Sequence, residues 1–269
     1  MFIYSNWDKI CQELSINHNC ISADQILDQM GGVSWVVVKH DVEANVDKAL
    51  ILARIEAKYG IRATYYVQAN LLKANASKLQ EIGFLGHEIT YHYDVLDSND
   101  GDYRAAIEEF TSVQNEFLNL GFKVKTVCPH GNPIKIRHGW SSNKDFFRDP
   151  LVVKLFPNIF DIVVQLPSIK NSYIYISDAA YSWKLIGNVH NNDINNKGDI
   201  ILNDMLGFLK NNTKCVIIST HPHRWQNSKI KVIISTQLFK VIRFVARRIS
   251  KVNFIKKVMS KYYFLAKNI

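Results

Sequence analysis

The stretch VSWVVVKHDVEANVDKALILARIEAKYG, residues 33–60, changes periodicity in its middle. VSWVVVKHD is a continuous apolar run that ends in polar residues, the pattern of a strand covered on both faces. ANVDKALILARIEAKYG then spaces its apolar residues three and four apart and stops at Gly60, which predicts a helix. A buried strand feeding a helix is the opening half of a βαβ unit. The same alternation continues downstream. ATYYVQ, HEITYH, KVKTVCPHG, DIVVQL, YIYIS and CVIISTH read as strands, and ASKLQEIG, DYRAAIEEFTSVQNEFLNLG and DIILNDMLGFLKNN as helices. Residues 6–30 add an N-terminal helical stretch. Strand–helix alternation of this kind favours a mostly parallel sheet with right-handed crossovers. Seven strands in some 220 residues suit a (β/α) barrel or an open doubly wound sheet.

Polar residues collect just after these strands. His40, Asp41 and Glu43 follow the first, His92 and Asp94 the third, and His130 and Asn132 the fourth. Asp178 follows YIYIS, and His221 and His223 follow CVIIS. In a parallel barrel all these positions open on one face, where such folds place their chemistry. The segment GHEITYHYDVLD, residues 86–97, holds two histidines whose spacing does not suit sharing one metal from a single element. Five residues apart, His87 and His92 lie on different faces of a helix and on opposite faces of a strand. The partners of whichever histidine is functional must therefore come from other strand ends.

Composition excludes several classes. No G-x-G-x-x-G or G-x-x-x-x-G-K follows the first strand, against dinucleotide and P-loop nucleotide binding. Cys11, Cys20, Cys128 and Cys215 form no CxxC and read as free thiols of a reducing cytoplasm. The first residues lack the basic and apolar blocks of a secretory signal, and no run approaches the roughly 18 apolar residues of a spanning helix. These observations predict a cytoplasmic protein, or one peripheral on the inner membrane. The net charge of +9 is concentrated. Residues 229–269 contain 11 Lys and Arg and no acid, so that segment alone carries +11 and leaves −2 for residues 1–228.

Imidazole and carboxylate around a divalent metal, with a base and an acid nearby, suffice for metal-assisted hydrolysis of an amide or ester. The set KHDVE, GHEITYHYDVLD, PHGNP and STHPHRW, in that order over residues 33–228, resembles the polysaccharide deacetylases (carbohydrate esterase family 4, the NodB-homology group). It is similar to a divergent branch associated with bacterial surface-polysaccharide synthesis. The resemblance implies an α/β fold, a distorted (β/α) barrel of about seven parallel strands, here with a C-terminal basic amphipathic helix. It implies removal of an acyl group, N-acetyl foremost, from a sugar of an O-antigen, lipopolysaccharide or capsule. Asp41 is then the base, Glu43 a metal ligand, His92 a second ligand and His221 the acid. The family's next histidine ligand falls on Leu96, which cannot bind metal. The third ligand is taken to be His130, with Asp94 as the alternative. The family's arginine partner of the base has no equivalent near PHGNP. The implied cofactor is one divalent ion, zinc first, with cobalt and nickel open. Asn132, Asp178 and Trp225 are expected to hold the sugar.

Plainer roles stand beside these. Asp41 and Glu43 could cap the following helix, Trp225 could close a barrel mouth, and Asp178 could cap a turn. His87 is expected to be structural, and His18, His138 and His190 to be surface residues. A barrel that binds glycan or a biosynthetic partner without catalysis is the alternative function, and a deformylase or other amide hydrolase is another. The expected organisation is an N-terminal helical segment (1–32), the barrel (33–228) and a basic helical tail (229–269). In the tail, Leu238, Ile242, Val245, Ile249 and Val252 form a stripe, with Lys240, Arg243, Arg247 and Lys251 opposite. Such a helix either docks on an anionic membrane or a glycosyltransferase complex, or packs on the barrel. Nucleic acid is not an expected partner, because no recognition fold accompanies the charge.

Overall fold

The computed structural model describes residues 1–29, 34–132, 135–170, 172–178, 181–187 and 200–249. Residues 250–269 of the basic tail, with Lys251 and Val252, and His190 lie outside the described residues.

The strands are β1 (Asn19–Ile21), β2 (Trp35–Val42), β3 (Thr64–Val67), β4 (Glu88–Tyr93) and β5 (Thr126–Pro129). They continue with β6 (Phe160–Asp161), β7 (Ile174–Ser177), β8 (Lys184–Leu185), β9 (Ile200–Ile201) and β10 (Val216–Thr220). The main helices are α1 (Tyr4–Asn17), α2 (Val46–Lys58), α3 (Ala76–Phe84), α4 (Val95–Ser98) and α5 (Tyr103–Asn119). After them come α6 (Lys144–Arg148), α7 (Pro150–Leu155), α8 (Leu166–Ile169), α9 (Met205–Asn211) and α10 (Lys229–Ile249). One sheet runs in the order β6-β5-β4-β3-β2-β10-β7-β8-β9, with β1 paired to the start of β2. The pairings from β6 through β7 are parallel, and β8 and β9 join antiparallel at one edge.

The expected seven strands are thus ten among the described residues, and the recorded path is open between β6 and β9. Three local departures have physical causes. Within the stretch 6–30, the helix ends at Asn17 and Asn19–Ile21 adds a parallel strand beside Trp35–Val37. DIVVQL leaves the sheet after Asp161, whose Oδ1 accepts from Val163 N and Val164 N and so turns the chain. DIILNDMLGFLKNN divides into β9 and α9, because Asp204 caps a helix that starts only at Met205.

Alternation along β2 sorts the molecule into two cores. Val36 and Val38 face the helices, in one cluster with Trp7, Ala53, Leu79 and Phe110. Trp35 and Val37 face the other side, with Ile21, Tyr66, Cys128, Leu166 and Ile217. A parallel sheet needs both faces covered, and among the described residues the long helices α1, α2 and α5 cover the first. Lys39 and Asp41 continue the Trp35–Val37 face, so two charged groups end a row that begins apolar. All parallel strands deliver their carboxyl ends to one rim, which sets the site.

Candidate metal and hydrolytic centre

Glu43 follows β2, in the turn before α2. Neither it nor Asp41 caps that helix: the cap is Asn45, in the left-handed region at φ 50°, whose side chain accepts from Lys48 N. Glu43 Oε1 instead lies 3.3 Å from His130 Nε2, 3.5 Å from His92 Nε2 and 4.0 Å from His221 Nε2. Three imidazoles from three strand ends therefore converge on one carboxylate oxygen.

His92 occupies the inner face of β4, level with Cys128 of β5. Its Nδ1–H donates to Cys128 O at 3.0 Å, which leaves Nε2 as the nitrogen aimed at Glu43. Burial opposes a charge on this ring, but Asp41 and the hydrogen bonds to Cys128 and Glu43 outweigh it and push the pKa up to about 10. The cluster thus attracts positive charge. His130 packs edge-on against His92, with ring centroids 5.3 Å apart, and is 6% exposed against 2% for His92. Its loop is braced from behind. Asn143 Nδ2 donates to His130 O, and Asp97 accepts from Asn143, from Trp140 and twice from Arg137. Asp94 approaches the other ring nitrogen, with Oδ2 3.9 Å from His130 Nδ1. Leu96 is fully buried in the helix-side core.

Asp41 sits beside this trio. Lys39 Nζ donates to its Oδ1 at 2.6 Å, and Ser219 Oγ donates to its Oδ2 at 3.3 Å. Burial pulls the Asp41 pKa up, and the charges of Lys39, His92 and His221 outweigh that and bring it down to about 2. Lys39 was missed in sequence, although the signal was present. Residues two apart in a strand share a face, and KHD places Lys39 next to Asp41.

His221, at the end of β10, turns Nε2 toward Asp41 Oδ2 at 3.9 Å. Its Nδ1 lies 2.7 Å from Asp178 Oδ1. Arg224 Nη1 donates to the same oxygen at 2.6 Å, while Thr220 Oγ1 and His221 N donate to Oδ2. Burial disfavours the Asp178 anion, but Arg224 and His221 more than compensate and hold its pKa well below the usual carboxylate range. An ionised acceptor fixes the proton of His221 on Nδ1.

The expected sugar-binding trio is corrected in two members. Asp178 is fully buried and holds His221 and Arg224, so it is sealed from any ligand. Trp225 is also fully buried, edge-on to Trp7 and Phe2, and its Nε1–H donates to Thr220. Asn132 is half-buried in the turn after β5, where its Oδ1 accepts from Lys135 N. His40 and His87 point to the helix side. His40 Nε2 lies 2.7 Å from the buried Glu56, and His87 accepts from Ala63 N and donates to Ala53 O. His18 reaches Leu209 O at 3.1 Å, and His138 is exposed.

Two donor sets share His92. Among the described residues, one atom each from Asp41, His92 and Cys128 lies within 4.8 Å of the others. Lys39 Nζ stands 2.6 Å from Asp41 Oδ1 and 3.2 Å from Cys128 Sγ, so a fixed positive charge already serves that set. The set Glu43, His92 and His130 combines one carboxylate with two ring nitrogens. This donor set suits zinc and the neighbouring divalent ions.

No family model and no curated protein matches the sequence. Among solved structures, the chain is similar to a CE4 family pseudoenzyme from Bacillus anthracis, at 13% identity and a TM-score of 0.41. That match covers 76% of this chain and 60% of the other. A mutant of the pseudoenzyme with restored enzymatic activity matches at 12% identity over 76% of this chain and 62% of that one, with a TM-score of 0.41. Peptidoglycan deacetylase PdaC from Bacillus subtilis matches at 11% identity over 80% of this chain and 97% of that one, with a TM-score of 0.33. The chain spans about 60% of the length of the pseudoenzyme.

Proposed function

We propose that the protein is a metal-dependent hydrolase that removes an acyl group, N-acetyl foremost, from a sugar of a bacterial surface polysaccharide or its precursor. The observation that carries this reading is the convergence on Glu43 Oε1 of His92, His130 and His221, flanked by the Lys39–Asp41 and His221–Asp178 pairs. The order of the KHDVE, GHEITYHY, PHGNP and HPHRW segments supports the sugar as substrate.

Glu43, His92 and His130 would hold one divalent ion, zinc in first place. Bound there, the ion would polarise the acyl carbonyl and bring the pKa of a water down to about 7. Asp41 accepts the proton of the attacking water. Lys39 keeps that carboxylate ionised and occupies Oδ1, which leaves Oδ2 as the working oxygen. His221 delivers the proton of Nε2 to the departing amine or alkoxide, while Asp178 retains the proton on Nδ1. Lys39 stands in for the arginine that the resemblance leads one to expect, reached from the same strand as the base.

The test pairs metal content with acyl release. Wild type, Asp41→Asn and His221→Ala are loaded with zinc, cobalt or nickel and assayed on N-acetyl, O-acetyl and N-formyl sugars. Release by wild type, lost in both variants while Asp41→Asn still binds metal, supports the reading. Release from the N-formyl sugar alone converts it to a deformylase. Stoichiometric metal without release from any of them overturns hydrolysis in favour of a glycan-binding barrel.

A further inference from the structure

The helix α10 carries apolar residues on two opposite sides. Val232 is buried, and the half-buried Phe239 packs against Tyr181 with ring centroids 5.4 Å apart, so this side seats the helix on the body. Ile230, Ile233, Ile234, Leu238 and Val241 are 68%, 50%, 60%, 40% and 58% exposed. At 3.6 residues per turn these five fall within an arc of about 140°, centred opposite Val232 and Phe239. Lys231 and Lys240, both exposed, fall just beyond the two margins of that arc. The outward line is not the one that spacing alone suggested. Leu238 belongs to both, and the side chains of Ile242, Val245 and Ile249 lie outside the described residues.

We propose that this outward face of α10 is a docking surface for an anionic phospholipid membrane, on which the helix lies in the plane of the interface. An apolar line that is exposed among the described residues, with cations along both edges, is the geometry of an interfacial helix: side chains enter the acyl boundary while ammonium groups reach the headgroups. The charge selects this occupant. Residues 229–269 carry 11 cations and no acid, which complements an anionic leaflet. A second copy of the chain would set Lys231 and Lys240 against the same charges. No helix among the described residues is long and apolar enough to cross a membrane, so the contact is peripheral. The body supplies the opposite pattern, with a net −2 over residues 1–228, so α10 orients the molecule as well as holding it.

The full-length protein is floated with vesicles of phosphatidylcholine alone and of phosphatidylcholine containing about one-third phosphatidylglycerol. Wild type is expected to float with the anionic vesicles only, and to lose most binding in high salt. The doubly substituted I234D/V241D and K231E/K240E proteins are expected to bind at least about tenfold more weakly, with unchanged melting temperatures because all four residues are exposed. Equal flotation with both vesicle types overturns the anionic assignment. Absence of flotation, with dimerisation in sedimentation velocity that I234D/V241D abolishes, assigns the face to a second copy and overturns the proposal. Absence of both overturns it as well. None of these readouts depends on metal or on acyl release.

Discussion

Lys39 Nζ lies 2.6 Å from Asp41 Oδ1, and the two side chains meet on the inner face of one strand, where the lysine has no access to water. Burial opposes the ammonium charge, yet Asp41 and Cys128 beside it hold the Lys39 pKa well above the ordinary lysine value. The pair is therefore an ion pair at any working pH, and the aspartate is a base whose ionisation is set by its neighbour.

Lys39→Met is expected to raise the Asp41 pKa by about 1–3 units. A base must be ionised to work, so the acidic limb of the kcat/KM profile moves to higher pH by that amount. Leaving the buried carboxylate without its lysine also costs about 3–5 kcal/mol of stability, read by urea titration. An acidic limb that stays in place would show that Asp41 is not the base.

His130→Ala is expected to lose stoichiometric metal, and Asp94→Ala to retain it with affinity reduced about tenfold. The reason is geometric. His130 Nε2 is the atom beside Glu43, whereas Asp94 approaches Nδ1 of the same ring at 3.9 Å. Mass spectrometry of the loaded proteins reads the outcome, and the reverse pattern would make Asp94 the ligand.

Asp178→Asn is expected to lower kcat by about 10²–10⁴ with little change in KM. Asp178 reaches the site through His221, so it is a positioning residue and touches no substrate. A structural role alone would lower stability in a urea titration and leave kcat per folded enzyme where it was.

Glu88 tests the opposite end of the sheet. Burial first, and then the nearby Asp24, raise its pKa to about 7, although Thr64, Thr126 and Asp24 N donate to it. Between the unfolded value near 4.5 and the folded value near 7, the native state holds the proton and the unfolded state does not. Stability from this group is therefore complete below about pH 4.5 and is lost as pH rises through about 7. Glu88→Gln keeps the shape without the charge. Urea titration should show it more stable than wild type by about 1–3 kcal/mol at pH 8, with little difference at pH 5. An equal difference at both values would mean that hydrogen bonding, not ionisation, decides.

Much of this was legible in the residues alone. The apolar run from Trp35 to Val38 read as a covered strand and ANVDKALILARIEAKYG as the helix after it, and both are observed. The interval of two between Lys39 and Asp41 already implied a shared face, and the interval of five between His87 and His92 already separated them. Local periodicity settles such questions because it fixes side-chain direction within one element. Where a polar side chain overrides periodicity, the reading failed. Asp161 accepts two backbone donors and turns DIVVQL out of the sheet, and Asp204 delays a helix until Met205.

The meeting of partners was decided elsewhere. Glu43 and His130 come from strands that do not touch, and Asp178 finds His221 43 residues further along the chain. Trp225 looks the same in sequence whether it stacks on a sugar or fills a core; only its contacts with Trp7 and Phe2 show which. The outward face of α10 likewise became visible only once Val232 and Phe239 had found the body. The sequence by itself determined the strands and helices that carry the site, and the direction of each side chain within them. Register between strands and the docking of helices determined which of those side chains meet, because they are set by burial summed over the whole sheet and by no local pattern.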